Sequence, residues 1–154
     1  MKRALAIIGT AILLFGASAC GEKKPPEPGA YQGKKILSVV RDLAQAYEKR
    51  DLDGFMDLIA KGYEGREAFE GSIGRVFSKY DSVRFSFHET KMLVMVLDRG
   101  NIKASVNWDG EWRTAKGGFL KDGGRVTLVF DPGVFQVLSI EGKNPFLPVE
   151  KQGK

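Results

Sequence analysis

Two singletons bound the chemistry open to this chain: Cys20 and His88 are its only cysteine and its only histidine. A lone cysteine forms no internal disulfide, and one histidine leaves the common zinc sites and a Ser-His-Asp relay short of parts. An imidazole can serve as a general base near neutral pH. The alternation of "SVRFSF", however, sends Val83, Phe85 and Phe87 to one face and His88 to the other, with Arg84 and Ser86. That position reads as a surface or interface histidine. A cofactor-independent isomerase would need a carboxylate in an apolar pocket, facing a donor for the developing oxyanion. Asp98, Asp109, Asp122 and Asp131 all fall in predicted turns, where a short acid side chain serves its own backbone. Glu111 and Glu141 lie near predicted strand ends. The glycine-rich "KGGFLKDGG" lacks the spacing of a phosphate loop and no helix follows it, so a sheet-bending bulge at Gly117-Gly118 is the simpler reading.

The aromatic residues offer binding rather than catalysis. Trp108 and Trp112 flank "DGE", read here as a three-residue turn that places the indoles on adjacent strands. Such a pair can stack on a sugar or an apolar ligand, or can simply pack a hairpin. Tyr47, Phe55, Phe77 and Phe85 have the positions of core residues and are, with the two tryptophans, the candidate lining of a pocket. No cofactor site and no metal site is evident.

Elsewhere the only thiol has a distinctive setting. Met1-Lys2-Arg3 is positive, and the uncharged "ALAIIGTAILLFGASA" follows over residues 4–19. That run is shorter than the ~20 residues of a membrane-spanning helix, and it ends in small residues as a cleaved signal peptide does. The stretch "GASAC" resembles the lipobox of bacterial lipoproteins, with Ala17, Ser18 and Ala19 ahead of Cys20. The resemblance implies diacylglycerol transfer to the Cys20 thiol, cleavage before it, and acylation of the new terminus with a fatty acid such as palmitate. Gly21, where an Asp would signal inner-membrane retention, implies the outer membrane, with the domain in the periplasm. Residues 20–33, rich in Pro and Gly, read as the lipidated cysteine and a tether.

The remainder must fold. The sequence is 43% apolar with ten Phe, too much for a disordered chain. The net charge of +5 is mild and partly in the leader, and it gives no ground for a nucleic-acid partner. Ile36, Val39, Val40, Leu43, Ala44 and Tyr47 recur at helical spacing. A second, short helix follows "RDLDGF", capped by Asp51 or Asp53, with Leu52, Phe55, Met56 and Ile59 inward. A third runs from about Arg66 to Tyr80 on Phe69, Ile73, Val76, Phe77 and Tyr80. Five or six strands then alternate with "DRGN", "DGE", "KDGG" and "DPG" turns, which predicts an antiparallel meander. The fold class is α+β: three N-terminal helices on a strongly curved antiparallel sheet, in one domain over residues 34–148, with a polar tail over 149–154. Strands such as "MLVMVL" are apolar on both faces, which predicts cover for the outer face by the third helix, the C-terminal tail or a second copy through the sheet.

"LAQAYEKRDLDGFMDLI", a third helix, and a curved meander closing on "FQVLSIEGKNPF" together resemble the nuclear-transport-factor-2-like, or SnoaL-like, superfamily. That resemblance implies a cone: a bent, cystatin-like sheet around a long helix, with a pocket at the open end. Its members include isomerases, dehydratases, cyclases and proteins without catalysis, so fold alone assigns no reaction. The residues favour a membrane-anchored lipoprotein whose periplasmic domain binds a small apolar ligand or an envelope protein without catalysis. An isomerase, hydratase or cyclase using a buried carboxylate, and a structural envelope lipoprotein, are the alternatives.

Overall fold

A computed structural model describes residues 28–97 and 100–149. The leader, Cys20 and the first part of the tether, with Asp98, Arg99 and the last five residues, lie outside the described residues. Three helices come first: α1 (Pro28–Lys49), α2 (Leu52–Asp57) and α3 (Arg66–Lys79). Strands β1 (Ser82–Phe87), β2 (Leu93–Val96), β3 (Ile102–Arg113), β4 (Phe119–Phe130) and β5 (Val137–Gly142) follow, with a single 3-10 turn at Glu89–Lys91.

The helical stripes form as their spacing dictates. Ile36, Val40, Leu43 and Tyr47 are fully buried along α1, and Phe55, Met56, Phe69, Ile73 and Phe77 line the inner sides of α2 and α3. Asp51, not Asp53, caps α2: its carboxylate accepts the Gly54 N–H at 3.0 Å. α1 begins at Pro28, six residues before the expected domain boundary at Lys34, so Pro28–Gly33 is helical rather than tether. A proline at the first helical position needs no N–H partner there and has φ preset for the helix.

The sheet has five strands in the order β1-β3-β4-β5, all antiparallel, and β2 pairs with β3 beside β1. β1 and β2 do not pair with each other, as a simple meander would require. The Glu89–Lys91 turn carries the chain along one edge of β3, so β1 takes its C-terminal half and β2 its N-terminal half. Two predicted turns are absent. "DGE" and "KDGG" lie inside twelve-residue strands, paired with each other through Asp109↔Gly123, Gly110↔Asp122 and Glu111↔Lys121. Their glycines are strand glycines needed for close packing. A Cβ on Gly110 would lie 2.2 Å from the Trp112 ring. The real β3–β4 turn is at Thr114–Gly118, where Gly117 takes φ +83° and the Thr114 hydroxyl accepts the Gly118 N–H at 2.9 Å. Gly117-Gly118 is therefore the hairpin turn, and the bulge falls between Val129 and Phe130. Val134 to Gln136 belong to the last turn, where the Asp131 carboxylate accepts the Gly133 and Val134 amides.

Residues of even number along β3 face the helices: Ile102, Ala104, Val106, Trp108 and Trp112 are all buried. The opposite face is not covered by α3, and the tail after Val149 lies outside the described residues. It is polar toward the β3–β4 hairpin, where Glu111 lies within ion-pair reach of Lys121 and Arg113. Its apolar exposure is Phe119 beside the hairpin and, at the other end, β2, where Leu93 and Met95 point outward while Val94 packs on the core. The segment after β5 turns inward, and Phe146 is fully buried. Gly110→Ala should force the Trp112 ring aside and destabilise the fold by about 1–3 kcal/mol, measured by urea denaturation. An unchanged midpoint would show that the ring can move freely.

Candidate functional site

The concave face of the sheet, closed by the helices, is where an open cone would hold a ligand. All six candidate lining residues converge there. Tyr47 is the hub: its ring centroid lies 5.8 Å from that of Phe55, 5.3 Å from Phe77 and 5.3 Å from Phe85. Phe85 stacks on Trp108 at 5.9 Å, and Trp108 meets Trp112 edge to face at 6.5 Å. The two tryptophans are four residues apart on one strand, not on adjacent strands, so the strand's period of two puts them on the same face.

Phe146 occupies the middle of this group. Its ring lies 5.1 Å from Tyr47, 4.8 Å from Phe55 and 5.4 Å from Phe85. Its carbonyl accepts the Tyr47 hydroxyl at 2.8 Å, and that hydroxyl accepts the Trp112 indole N–H at 3.0 Å. The Tyr47 hydroxyl and the Trp112 N–H are thus engaged within the chain. Burial raises the Tyr47 pKa far above the usual phenol value, because a phenolate there would lose its hydration; the Trp112 hydrogen bond opposes this only in part. "NPF" is part of the sequence pattern that resembles a closing strand segment, but nothing in it marks Phe146 as the residue that fills the interior.

A second group stands at the mouth. Asp122 is on the concave face, in register with Gly110, with its side chain only 14% exposed. The expectation of a turn hid it. Its carboxylate accepts the Gly123 N–H at 2.9 Å and a hydrogen bond from Lys143. The Lys143 ammonium also lies 5.5 Å from the centre of the Trp108 ring. Trp108 Nε1 beneath it is buried and has no acceptor among the described residues. Cation, carboxylate and indole N–H together could hold a small polar group, but the carboxylate is already taken by Lys143.

The convex face carries His88, as expected, and it is not isolated: Nε2 lies 2.5 Å from an Asp109 oxygen. Both side chains are about half exposed. Along the free edge of β1, Glu48 accepts the Phe85 N–H at 2.7 Å, between two open grooves of about 460 and 500 Å³. Phe85 is the candidate lining residue that borders them. Asp131 serves its turn, Glu141 pairs with Lys103 at 2.7 Å, and Asp98 lies outside the described residues. Among the described residues no cluster of three or more His, Cys, Asp or Glu side chains could hold a metal ion.

Solved structures share this fold. A nuclear transport factor 2 (NTF2-like) superfamily protein from Salmonella enterica superposes with a TM-score of 0.61, at 12% identity over 81% of this chain and 96% of that one. This chain has the nuclear-transport-factor-2-like fold. Aln2 from a Streptomyces species is similar at a TM-score of 0.52 and 23% identity, over 76% of this chain and 91% of its own. An NTF2-like protein of unknown function from an Exiguobacterium species is similar at 0.52 and 11%, over 68% and 93%. No protein-family model matches the sequence, and no curated protein matches it. At these identities the likeness is one of fold. Within that cone fold this chain spends its own Phe146 on the interior.

Tyr47→Phe should remove a buried bridge, leave the Trp112 N–H and the Phe146 carbonyl without partners, and lower stability by about 1–3 kcal/mol. The pH dependence has a definite sign. Because the folded-state pKa is raised, the stability tied to neutral Tyr47 is complete below the unfolded-state value of about 10 and is lost as pH rises above it. Half-buried Tyr63 shifts the same way through burial and leaves a smaller alkaline slope in the variant. Denaturation midpoints from pH 8 to 11 check this: equal slopes for both proteins would contradict it.

Proposed function

We propose that this protein is a membrane-anchored bacterial lipoprotein whose nuclear-transport-factor-2-like domain works by binding a partner, without catalysis. The observation that carries the reading is the hydrogen-bonded chain from Trp112 through Tyr47 to the Phe146 carbonyl, inside an interior filled by aromatic rings. Both donors meet the chain itself and are not left aimed into open space. A partner then meets the outside of the domain, which favours an envelope protein or surface over a small apolar ligand held in the cone.

The anchor reading rests on the positive leader, the short uncharged run and "GASAC" ahead of the sole cysteine. Two acyl chains or more give stable anchoring where one chain is marginal. Among the described residues no helix is long and apolar enough to cross a membrane. Gly21 after that cysteine favours the outer membrane, with the domain facing the periplasm.

One observation favours the enzymatic alternative: Asp122 is an inward-facing, largely buried carboxylate at the cone mouth. For it to act as a base, a substrate would have to displace Lys143. Native mass spectrometry separates the readings, since a co-purified small molecule lost in Asp122→Asn would favour the enzyme.

Labelled palmitate fed to producing cells should enter the wild-type protein and not Cys20→Ala, and a high-salt wash should release the variant but not the wild type from the membrane fraction. A variant that takes up no palmitate yet stays membrane-bound through a high-salt wash would sink the anchor.

A further inference from the structure

Exposed apolar side chains are concentrated at one end of the domain. Tyr31, Leu93, Met95, Val96, Leu97 and Val134 are 37–66% exposed, whereas Phe119 and Val149 lie elsewhere. β2 runs beside the first residues of β3, with Val96 opposite Ile102, and Ile102 lies opposite Phe130 at the end of β4. The two turns beyond these strands touch: a Cβ on Gly100 would lie 3.8 Å from Pro132. The start of α1 reaches the same end. Glu48 bonds to Phe85 and Arg41 to Glu89, so α1 runs antiparallel to that stretch of chain. From Arg41 back to Tyr31 the helix advances a further ~15 Å in the direction of β2.

The exposed charge at this end is mainly basic. Lys34, Lys35 and Lys91 are exposed. Of the acidic groups nearby, Glu89 pairs with Arg41 and Glu141 with Lys103, while Asp131 serves the amides of its turn and Asp57, whose carbonyl accepts from Gln136, is exposed. Asp98 and Arg99, outside the described residues, cancel in charge.

Chain length fixes what this end faces. Pro28 starts α1, and eight residue steps lead back to Cys20. Fully extended, they reach at most ~28 Å. We infer that this end of the domain is a membrane-contacting surface, on which Leu93, Met95 and Leu97 enter the lipid interface while Lys34, Lys35 and Lys91 meet anionic headgroups. The inference rests on the lipidation of Cys20 for its orientation. Exposed apolar and aromatic side chains with basic neighbours are the composition that lies in an anionic interface. A four-residue edge strand offers a second copy far less than the ~800 Å² per partner of a stable protein interface.

The test uses the chain from Cys20 onward with Cys20→Ser, which holds every described residue but takes no lipid. Vesicles contain one part phosphatidylglycerol to three parts phosphatidylethanolamine. The protein should sediment with them, and less so as salt rises. Lys34→Ala or Lys35→Ala should each weaken binding about fivefold, and Leu93→Ser with Met95→Ser at least about tenfold. Tryptophan fluorescence verifies that each variant is folded. The inference is overturned by absent vesicle binding, by binding that the Leu93 and Met95 substitutions leave unchanged, or by a dimer whose β2 amides are protected from exchange. Palmitate labelling at Cys20 is scored separately: vesicle binding without labelling removes the anchor and leaves the surface, and labelling without vesicle binding does the reverse.

Discussion

The structure depends on how one buried hydroxyl is satisfied. Tyr47 sits on α1 fully buried, and an unmet phenol there would carry the full desolvation penalty of a polar group. Donating to Phe146 and accepting from Trp112 removes that penalty and ties three distant parts of the chain together. The helix, the long central strand β3 and the segment after the last strand must all be in place before the bridge exists. The aromatic rings around it then pack at 4.8 to 6.5 Å, within the range in which tilted and edge-to-face pairs are favourable.

That arrangement uses the cone differently from a binding site. A pocket keeps donors aimed into open space; here the segment after β5 supplies the ring and the carbonyl. The polar groups that remain are at the rim. Lys143 closes on Asp122 and covers the Trp108 ring, leaving one indole N–H unmet. The exposed pairs on the convex face, such as Lys121 with Glu111, contribute little to stability because water screens them. What they do is keep that half of the sheet mostly polar, with Phe119 its one exposed large apolar side chain among the described residues, so apolar exposure is concentrated at β2 and the neighbouring turns.

The two ends of the sheet therefore differ in character. One end has the β3–β4 hairpin and its charges. The other has the start of α1, the edge strand β2 and the last turn. The chain segment that leads toward Cys20 emerges from the second.

Much of this was legible in local pattern. The stripes from Ile36 to Tyr47 and from Phe69 to Tyr80 specified helices, because only a 3.6-residue period gathers those residues on one side. Val83, Phe85 and Phe87 specified a strand in the same way, and His88 fell outside as alternation required. The α+β class and the antiparallel sheet followed. What the sequence misstated were "DGE" and "KDGG". Asp-Gly and Gly-Gly have the composition of turns, yet here each faces the other across two long strands, and their glycines make room for Trp112 and for the neighbouring backbone. Local propensity is the same for both outcomes, and only the cross-strand partner decides between them. Tertiary structure alone could also place Asp122 inward, Trp108 and Trp112 on one face, and Phe146 at the centre. Those positions depend on residues up to 99 apart in sequence, as Tyr47 and Phe146 are, and no local period encodes such a meeting.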